Sequence, residues 1–275
     1  EIWTDVNGMY TANPSIVTQA KPIPKLSYQE AMELSHFGAK VLYPPTIQPL
    51  IKKKIPVIIK NTFNYKSPGT IISSDSINEE KNVVKGISHI DDVSLINLEG
   101  TGMIGITGFS QKLFHALSSN NINIIMITQA SSEHSICIGL SNNDAEKAKK
   151  IIEDEFSLEI KMNKLNSVSI EKNMVNIAVV GDKMKDHQGI SGKLFSSLGA
   201  NNINIRAIAQ GASERNISII IDKKNTVKAL NTIHERFFEE QIIELNLFIT
   251  GVGNVGSKLL EQINQQKKYL IENLK

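Results

Sequence analysis

A chain of 275 residues, 41% of them apolar, has the length of about two domains and enough apolar side chains to bury sizeable cores. Thirty basic against 28 acidic residues leave a formal net charge of +2, which gives no electrostatic footprint for nucleic acid or an anionic membrane surface. One cysteine, Cys137, excludes an internal disulfide and a multi-thiolate metal site; no apolar stretch reaches the length of a membrane span, and no signal peptide opens the chain, so a cytoplasmic setting is expected.

The first residues, Glu1-Ile2-Trp3-Thr4-Asp5, read as a strand already under way, with Trp3 expected in or near a core. Three strings follow: EIWTDVNGMYTANP, LSYQEAMELSHFGAKVLYPPTIQP and IPVIIKNTFNYKSPGTII. Lys52-Lys53-Lys54 is the sharpest basic run, and a solvated helix end accounts for it. Residues 73–82 are polar and read as a linker.

Next comes a module of alternating elements. Val93–Leu98 is a strand ending at Gly100. Phe109–Ser119 places Leu113, Phe114 and Leu117 on one helical face. Asn120-Asn121 stops that helix, because asparagine tolerates the left-handed conformation of a C-cap. Ile122–Thr128 alternates and is rich in β-branched residues, so it is a strand. Ser131-Ser132-Glu133 turns the chain, and Ser135–Leu140 returns as the next strand, with Cys137 expected as a small core residue between Ile136 and Ile138. Asn142-Asn143-Asp144 caps a helix over Ala145–Phe156, and Leu158–Met162 is expected as the closing strand. The order is β-α-β-β-α-β, a ferredoxin-like arrangement.

The module then repeats. NNINIIMITQASSEHSICI, residues 120–138, aligns without a gap on NNINIRAIAQGASERNISI, residues 201–219, at an offset of 81, with eleven of nineteen positions identical. Upstream, Gly108–Phe114 lies over Gly189–Phe195 at the same offset. A period of this length fits a tandem small domain, too long for a solenoid unit. The second copy is read as Val175–Val180, Ser191–Leu198, Ile203–Ala209, Ile217–Ile221 and Thr226–Phe238. Its closing strand is open: Ile242–Ile249 could serve it or the next domain, and Val83–Ile87 and Ile242–Leu247 could each complete the other copy.

No paired carboxylates, His/Cys cluster or nucleophile with a base is visible in either copy. The six histidines share no metal-ligand spacing. What recurs is Gln129 and Gln210, each where a strand runs into a turn, and a glutamine amide offers donors and an acceptor to a zwitterionic or hydroxyl-bearing small molecule. Glycine-rich turns precede each first helix, where backbone N–H groups can meet a carboxylate.

Finally, Leu247-Phe248-Ile249-Thr250 reads as an apolar strand that enters Gly251, Gly253 and Gly256 in the pattern G-x-G-x-x-G. A helical pattern follows with Leu259, Leu260 and Ile263 on one face. This is the opening of a dinucleotide-binding fold, but only 19 residues follow Gly256. Both ends of the chain are therefore read as cuts through domains.

The repeat resembles the ACT domain, a small-molecule-sensing module that typically binds amino acids where two copies pair. The first three strings resemble the C-terminal part of the aspartokinase catalytic domain. Kinase tail, two ACT modules and a Rossmann opening is the order of the bifunctional aspartokinase/homoserine dehydrogenase family, which the chain resembles as an internal segment. The implied fold is α+β and α/β: tandem ferredoxin-like ACT modules flanked by the tail of an amino-acid-kinase domain and the first β-α of a Rossmann fold. The implied boundaries are 1–72 kinase tail, 73–82 linker, 83–168 and 169–243 ACT modules, and 244–275 the start of the dehydrogenase domain.

That resemblance assigns an ATP site to Thr4, Asp5, Tyr10, Lys40 and Val41, with Mg2+ accompanying ATP. The family commonly carries Arg at the nucleotide where this chain has Ser15. It assigns threonine contacts to Gln129 and Gln210, with Ile127, Ile208, Asn123 and Asn204 beside them, and NADP or NAD to Gly251, Gly253 and Gly256. It also implies a homodimer or tetramer joined through the ACT modules and allosteric control of the flanking enzymes by L-threonine. The segment alone is expected to catalyse neither reaction. Two alternatives stand: an ACT pair that drives oligomerisation without ligand, and a monofunctional lysine-regulated aspartokinase, against which the Rossmann opening argues.

Overall fold

The structure, a computed structural model, describes residues 1–36, 41–74, 83–103, 108–129, 134–211, 215–239, 248–251 and 253–273. The chain divides into two compact units, Glu1–Phe238 and Glu239–Lys275.

The first unit begins with a small sheet of β1 (Ile2–Thr4), β2 (Lys25–Leu26), β3 (Val57–Asn61) and β4 (Thr70–Ile72), in the order β1-β3-β4-β2. β1 runs parallel to β3, and β2 parallel to β4. β3 alternates buried Val57, Ile59 and Asn61 with half-buried Ile58 and Lys60, as a strand with one covered face does. Helix α1 (Tyr28–His36) opens on a capping box: Glu30 N–H donates to Ser27 Oγ at 3.0 Å, and Ser27 N–H donates to Glu30 Oε2 at 2.9 Å. Its apolar face, Ala31 and Leu34, packs with Leu26, Tyr28, Ile47, Ile59 and Ile72. Helix α2 (Gln48–Lys53) ends in the lysine run as expected, with Lys54 left-handed at φ 51°. Trp3 departs from expectation. It is 48% exposed, because β1 is an edge strand and the pleat turns Ile2 inward and Trp3 outward.

The repeated modules form one six-stranded antiparallel sheet in the order β6-β7-β5-β8-β10-β9. Its elements in chain order are β5 (Gly86–Glu99), α3 (Phe109–Ser119), β6 (Ile124–Gln129), β7 (Ser135–Ser141), α4 (Ala145–Glu155), α5 (Ser157–Lys161), β8 (Ser169–Val180), α6 (Ile190–Ala200), β9 (Ile205–Ala209), β10 (Asn216–Asp222) and α7 (Thr226–Phe238). Asn121 and Asn202 turn the chain after α3 and α6 at φ 57° and 55°, as their type predicts.

Strand exchange joins the two modules. β5 and β8 are each long enough to serve both. Val93–Glu99 of β5 pairs with β7 inside the first module, while Gly86–Ile90 pairs with β8 as a strand of the second. Ser169–Glu171 of β8 returns the exchange by pairing with Leu95–Asn97, and Met174–Val180 pairs with β10. Both strands break register where they pass between modules. Asp92 (φ 58°) and Asn173 (φ 60°), 81 residues apart, mark the irregularity in each copy.

This exchange corrects the expected closing strand at Leu158–Met162. That stretch is the short helix α5, with Ile160 packed on the core and Leu158 and Met162 exposed. Its sheet position is filled by Ser169–Glu171. Helices α3 and α4 cover one face of the first module over Ile96, Leu98, Ile136, Ile138 and Leu140. Helices α6 and α7 cover the second over Val175, Ile177, Ile217 and Ile219.

The opposite face of the second module is covered by α1: Ala178 and Val180 lie in one core with Ala31 and Leu34, and Ser88 Oγ donates to the Leu34 carbonyl at 3.0 Å. A Cβ on Gly86 would lie 2.8 Å from Leu34 Cδ2, so a side chain there would require the Leu34 side chain to shift. The sheet coils enough for its edge strands β6 and β9 to touch, and Met126, Ala207 and Ile220 join Val93 and Leu95 in a central cluster.

In the second unit, α8 (Asn254–Asn273) forms as its periodicity predicts. Of the expected strand at Leu247–Thr250, the described residues Phe248–Thr250 are not in a strand. Leu247, like the candidate closing strand Ile242–Leu247, lies outside the described residues, and Phe248–Thr250 have no strand partner among them; Phe248 is 91% exposed. A strand exists only through its ladder partners. Among the described residues no helix is long and apolar enough to cross a membrane.

Candidate functional site

Three places carry the residues singled out by sequence. The first is the carboxyl end of the small parallel pair, where α/β sheets present ligands. Thr4 and Asp5 lie at the end of β1, and Thr4 Oγ1 donates to Asp5 Oδ1 at 3.1 Å. The neighbouring strand answers there, with Thr62 N–H donating to the Thr4 carbonyl at 2.8 Å. Tyr10, half-buried, is held by a bridge to Pro22. Val41 packs on the kinase-tail core. Lys40 lies outside the described residues. Ser15, where the resemblance expects Arg, is exposed and donates its hydroxyl to Asn13 Oδ1 at 2.8 Å.

The second place is double. Gln129 ends edge strand β6, and Gln210 directly follows edge strand β9; both are exposed. Ile127 and Ile208, two residues earlier, are 47% and 41% exposed. Gln210 Oε1 accepts from Ser191 Oγ at 3.0 Å, which ties the strand end to the first turn of α6. Ser110 holds the equivalent position in α3. Both helices start on a left-handed glycine, Gly108 at φ 86° and Gly189 at φ 81°, with open space where a side chain would stand and no side-chain cap. Each helix start offers free N–H groups that suit a small anion, and in the second copy Gln210 lies beside it. Asn123 and Asn204 stand exposed at the other end of their strands, about 20 Å away at the rise of an extended chain. The structure does not bring them to the glutamines.

The third place is the glycine turn. Gly251 is left-handed at φ 93°, and a Cβ on Gly251 or Gly253 would meet nothing within 4 Å, whereas a Cβ on Gly256 would strike the Gly251 carbonyl. Gly251 and Gly253 thus leave open space just before the amino end of α8, where free N–H groups suit an anion.

Several consequential residues escaped the sequence. Glu30 is buried, and besides its capping box its Oε1 accepts from Asp182 N–H at 3.1 Å, joining α1 to the second module. Burial raises the Glu30 carboxyl above its ordinary pKa, against the lowering by the Ser27 and Asp182 N–H groups. Burial likewise lowers Lys85 beside it. Arg215 Nε pairs with Asp182 Oδ1 at 2.8 Å, and Asn216 Nδ2 donates to Glu33 Oε2 at 2.8 Å. Fully buried His234 of α7 shares a 2.9 Å hydrogen bond with Thr11. The S-x-x-E of Ser27–Glu30 was a legible cap signal; the cross-module bonds had none.

A cleft of about 390 Å³ opens between the far face of the first module and edge strand β9 of the second, lined by Leu95, Asn97, Thr128, Cys137, Glu171 and Arg206 among others. Cys137 therefore faces a cleft, while Ile136 and Ile138 face the core. Burial first, then Glu171 and Glu99, push its thiol up to about 11.

The family model described as ACT domain matches residues 96–156 and 177–237, and the amino acid kinase family matches residues 1–61. The bifunctional aspartokinase/homoserine dehydrogenase of Haemophilus influenzae is 44% identical over 270 residues, covering 98% of this chain and 33% of that protein. The chain thus spans about a third of the length of the curated relatives it matches. The crystal structure of Clostridium acetobutylicum aspartate kinase superposes with a TM-score of 0.77 at 33% identity, over 86% of this chain and 53% of that one. E. coli aspartokinase III in complex with aspartate and ADP superposes with a TM-score of 0.73 at 26% identity, over 86% of this chain and 52% of that one.

Proposed function

We propose, for a chain that belongs to the bifunctional aspartokinase/homoserine dehydrogenase family, that it is the regulatory middle of an enzyme that phosphorylates aspartate with ATP and reduces aspartate semialdehyde to homoserine. The effector is L-threonine. The observation that carries this reading is the double placement of Gln129 and Gln210. Two copies of one module end their edge strands on the same side chain, beside a glycine-started helix. There the helix N–H groups suit the carboxylate of an amino acid, the glutamine its ammonium or hydroxyl, and Ile127 or Ile208 its methyl group. Asn123 and Asn204 stand too far off to touch the same molecule.

In this proposal ATP, with Mg2+, lies at Thr4, Asp5, Tyr10, Lys40 and Val41, and NADP or NAD at Gly251, Gly253 and Gly256. The segment alone completes neither catalytic site. The enzyme works in the cytoplasm as a homo-oligomer, and threonine acts by favouring one of two arrangements of the ACT pair.

A second reading, assembly without ligand, is favoured by the half-exposed Ile127 and Ile208 on strands that are edges among the described residues and offer ladders to another copy. Kinase and dehydrogenase assays of the full-length enzyme separate the two. Threonine, and not lysine or methionine, should inhibit, and Gln129→Ala or Gln210→Ala should desensitise at least one activity. Inhibition unchanged in both variants would remove the proposed sites. Activities indifferent to threonine, in an oligomer broken by Ile127→Lys, would establish the assembly reading.

A further inference from the structure

The end of β1 and the loop after it carry Thr4, Asp5 and Tyr10, yet the loop is short, glycine-containing and open to solvent on one side. Something must hold it. Its anchor is a cluster of three asparagines between the carboxyl ends of β1 and β3. Asn61, buried at 8% exposure, donates from Nδ2 to Asn7 Oδ1 at 2.8 Å, and exposed Asn64 donates from Nδ2 to the same oxygen at 3.3 Å. The orientation of the Asn61 amide is dictated by the backbone. Phe63 N–H can only donate, and it donates to Asn61 Oδ1 at 2.8 Å, so the Asn61 NH2 must face Asn7. Further along, Met9 N–H donates to Thr70 Oγ1 at 2.8 Å, and Thr70, fully buried, donates on to the Ile23 carbonyl at 2.7 Å. Between these anchors Gly8 takes φ 118° against Thr70, a conformation and a closeness that only glycine allows.

We infer that Asn7 and Asn61, assisted by Asn64, are positioning residues of the nucleotide site: a clasp of fixed donor–acceptor sense that holds the Thr4–Tyr10 loop in its binding shape. This rests on the reading of that loop as the ATP site. None of the three needs to touch nucleotide. The sense of the clasp makes the inference sharp, because Asn7 serves as an acceptor for two amides, whereas Asn61 must donate to Asn7 and accept from Phe63. A carboxylate can replace the first role and cannot replace the second.

The test is aspartate kinase kinetics on the full-length enzyme carrying Asn7→Asp, Asn7→Leu, Asn61→Asp or Asp5→Asn, each checked by thermal melting. The inference expects Asn7→Asp to hold the KM for ATP within about twofold, and Asn7→Leu and Asn61→Asp to raise it about tenfold, the cost of one hydrogen bond. The KM for aspartate should stay unchanged. Equal behaviour of Asn7→Asp and Asn7→Leu would overturn it. So would a normal KM for ATP in Asn61→Asp, or a loss spread equally over both substrates, which marks a merely structural role. Should Asn61→Asp fail to fold, the Asn7 pair still decides, because that position is only half-buried. Asp5→Asn separates the two layers: if it leaves the KM for ATP unchanged, the ATP reading falls together with the clasp; if it raises that KM while the asparagine variants do not, the clasp alone falls.

Discussion

The second ACT module places Ala178, Val180, Ala209 and Ser218 on the sheet face away from its helices. The first module has Asn97, Glu99, Thr128 and Cys137 at the same positions, 81 residues earlier. The helix-facing residues hardly differ in kind: Ile96 and Leu98 answer Ile177 and Val179, and Ile136 and Ile138 answer Ile217 and Ile219. What separates the copies is the neighbour on the far face. Helix α1 of the kinase tail lies on the far face of the second module, whereas the far face of the first opens onto a cleft that it shares with β9. A duplicated module therefore keeps its core and adapts its outer face to whatever covers it. The module bonded to the kinase tail in this chain is the second, through Glu30–Asp182, Glu33–Asn216 and Thr11–His234.

That contrast can be broken in order of expected effect. Leu34→Ala, at the centre of the covered face, should destabilise the unit by about 3 kcal/mol in denaturant unfolding, whereas Asn97→Ala on the open face should change stability by less than about 0.5 kcal/mol. Similar losses at the two sites would mean that α1 does not distinguish the modules. Thr11→Val removes the hydroxyl that is shared with buried His234 and also accepts from Lys21 N–H, and should cost about 1–2 kcal/mol in the same measurement; no loss would mean that neither bond contributes to stability. Arg206→Ala breaks the ion pair with Glu171 at the mouth of the cleft. Both side chains are about a third exposed (37% and 30%), so solvent screening limits the loss to under about 1 kcal/mol, and high salt should erase the difference from wild type.

Cys137 sharpens the comparison without changing stability at neutral pH. Its folded pKa is raised, so between about 9 and about 11 the unfolded chain releases a proton that the folded chain keeps, and stability falls as pH rises through that window. Alkylation by iodoacetamide should accordingly be slow at pH 8 and reach half its maximal rate near pH 11. A half-maximum near 9 would place the thiol in open water instead of the cleft.

Much of this fold was legible because local and tertiary signals agree in it. The helices Phe109–Ser119 and Thr226–Phe238 follow the bounds set by apolar period and by asparagine or phenylalanine ends, and the repeat carries the second copy over from the first. The departures share one reason: strands are made by partners. Leu158–Met162 has the composition of a strand, but its place beside β5 is taken by Ser169–Glu171 from the other module. Phe248–Thr250 has no ladder to join among the described residues. Trp3 points outward because the face of an edge strand depends on which neighbour it has. The glutamines are legible through duplication, whereas Asn7, Asn61 and His234 meet their partners across 54 and 223 residues of sequence and leave no local mark.

The proposed function requires that Gln129 and Gln210 each mark an amino-acid site. Calorimetric titration of the full-length enzyme with L-threonine tests it most directly, repeated on Gln129→Ala, Gln210→Ala and the double variant. The account predicts two saturable sites per chain, one lost in each single variant and both in the double, with lysine and methionine silent. Two sites retained in the folded double variant would contradict it.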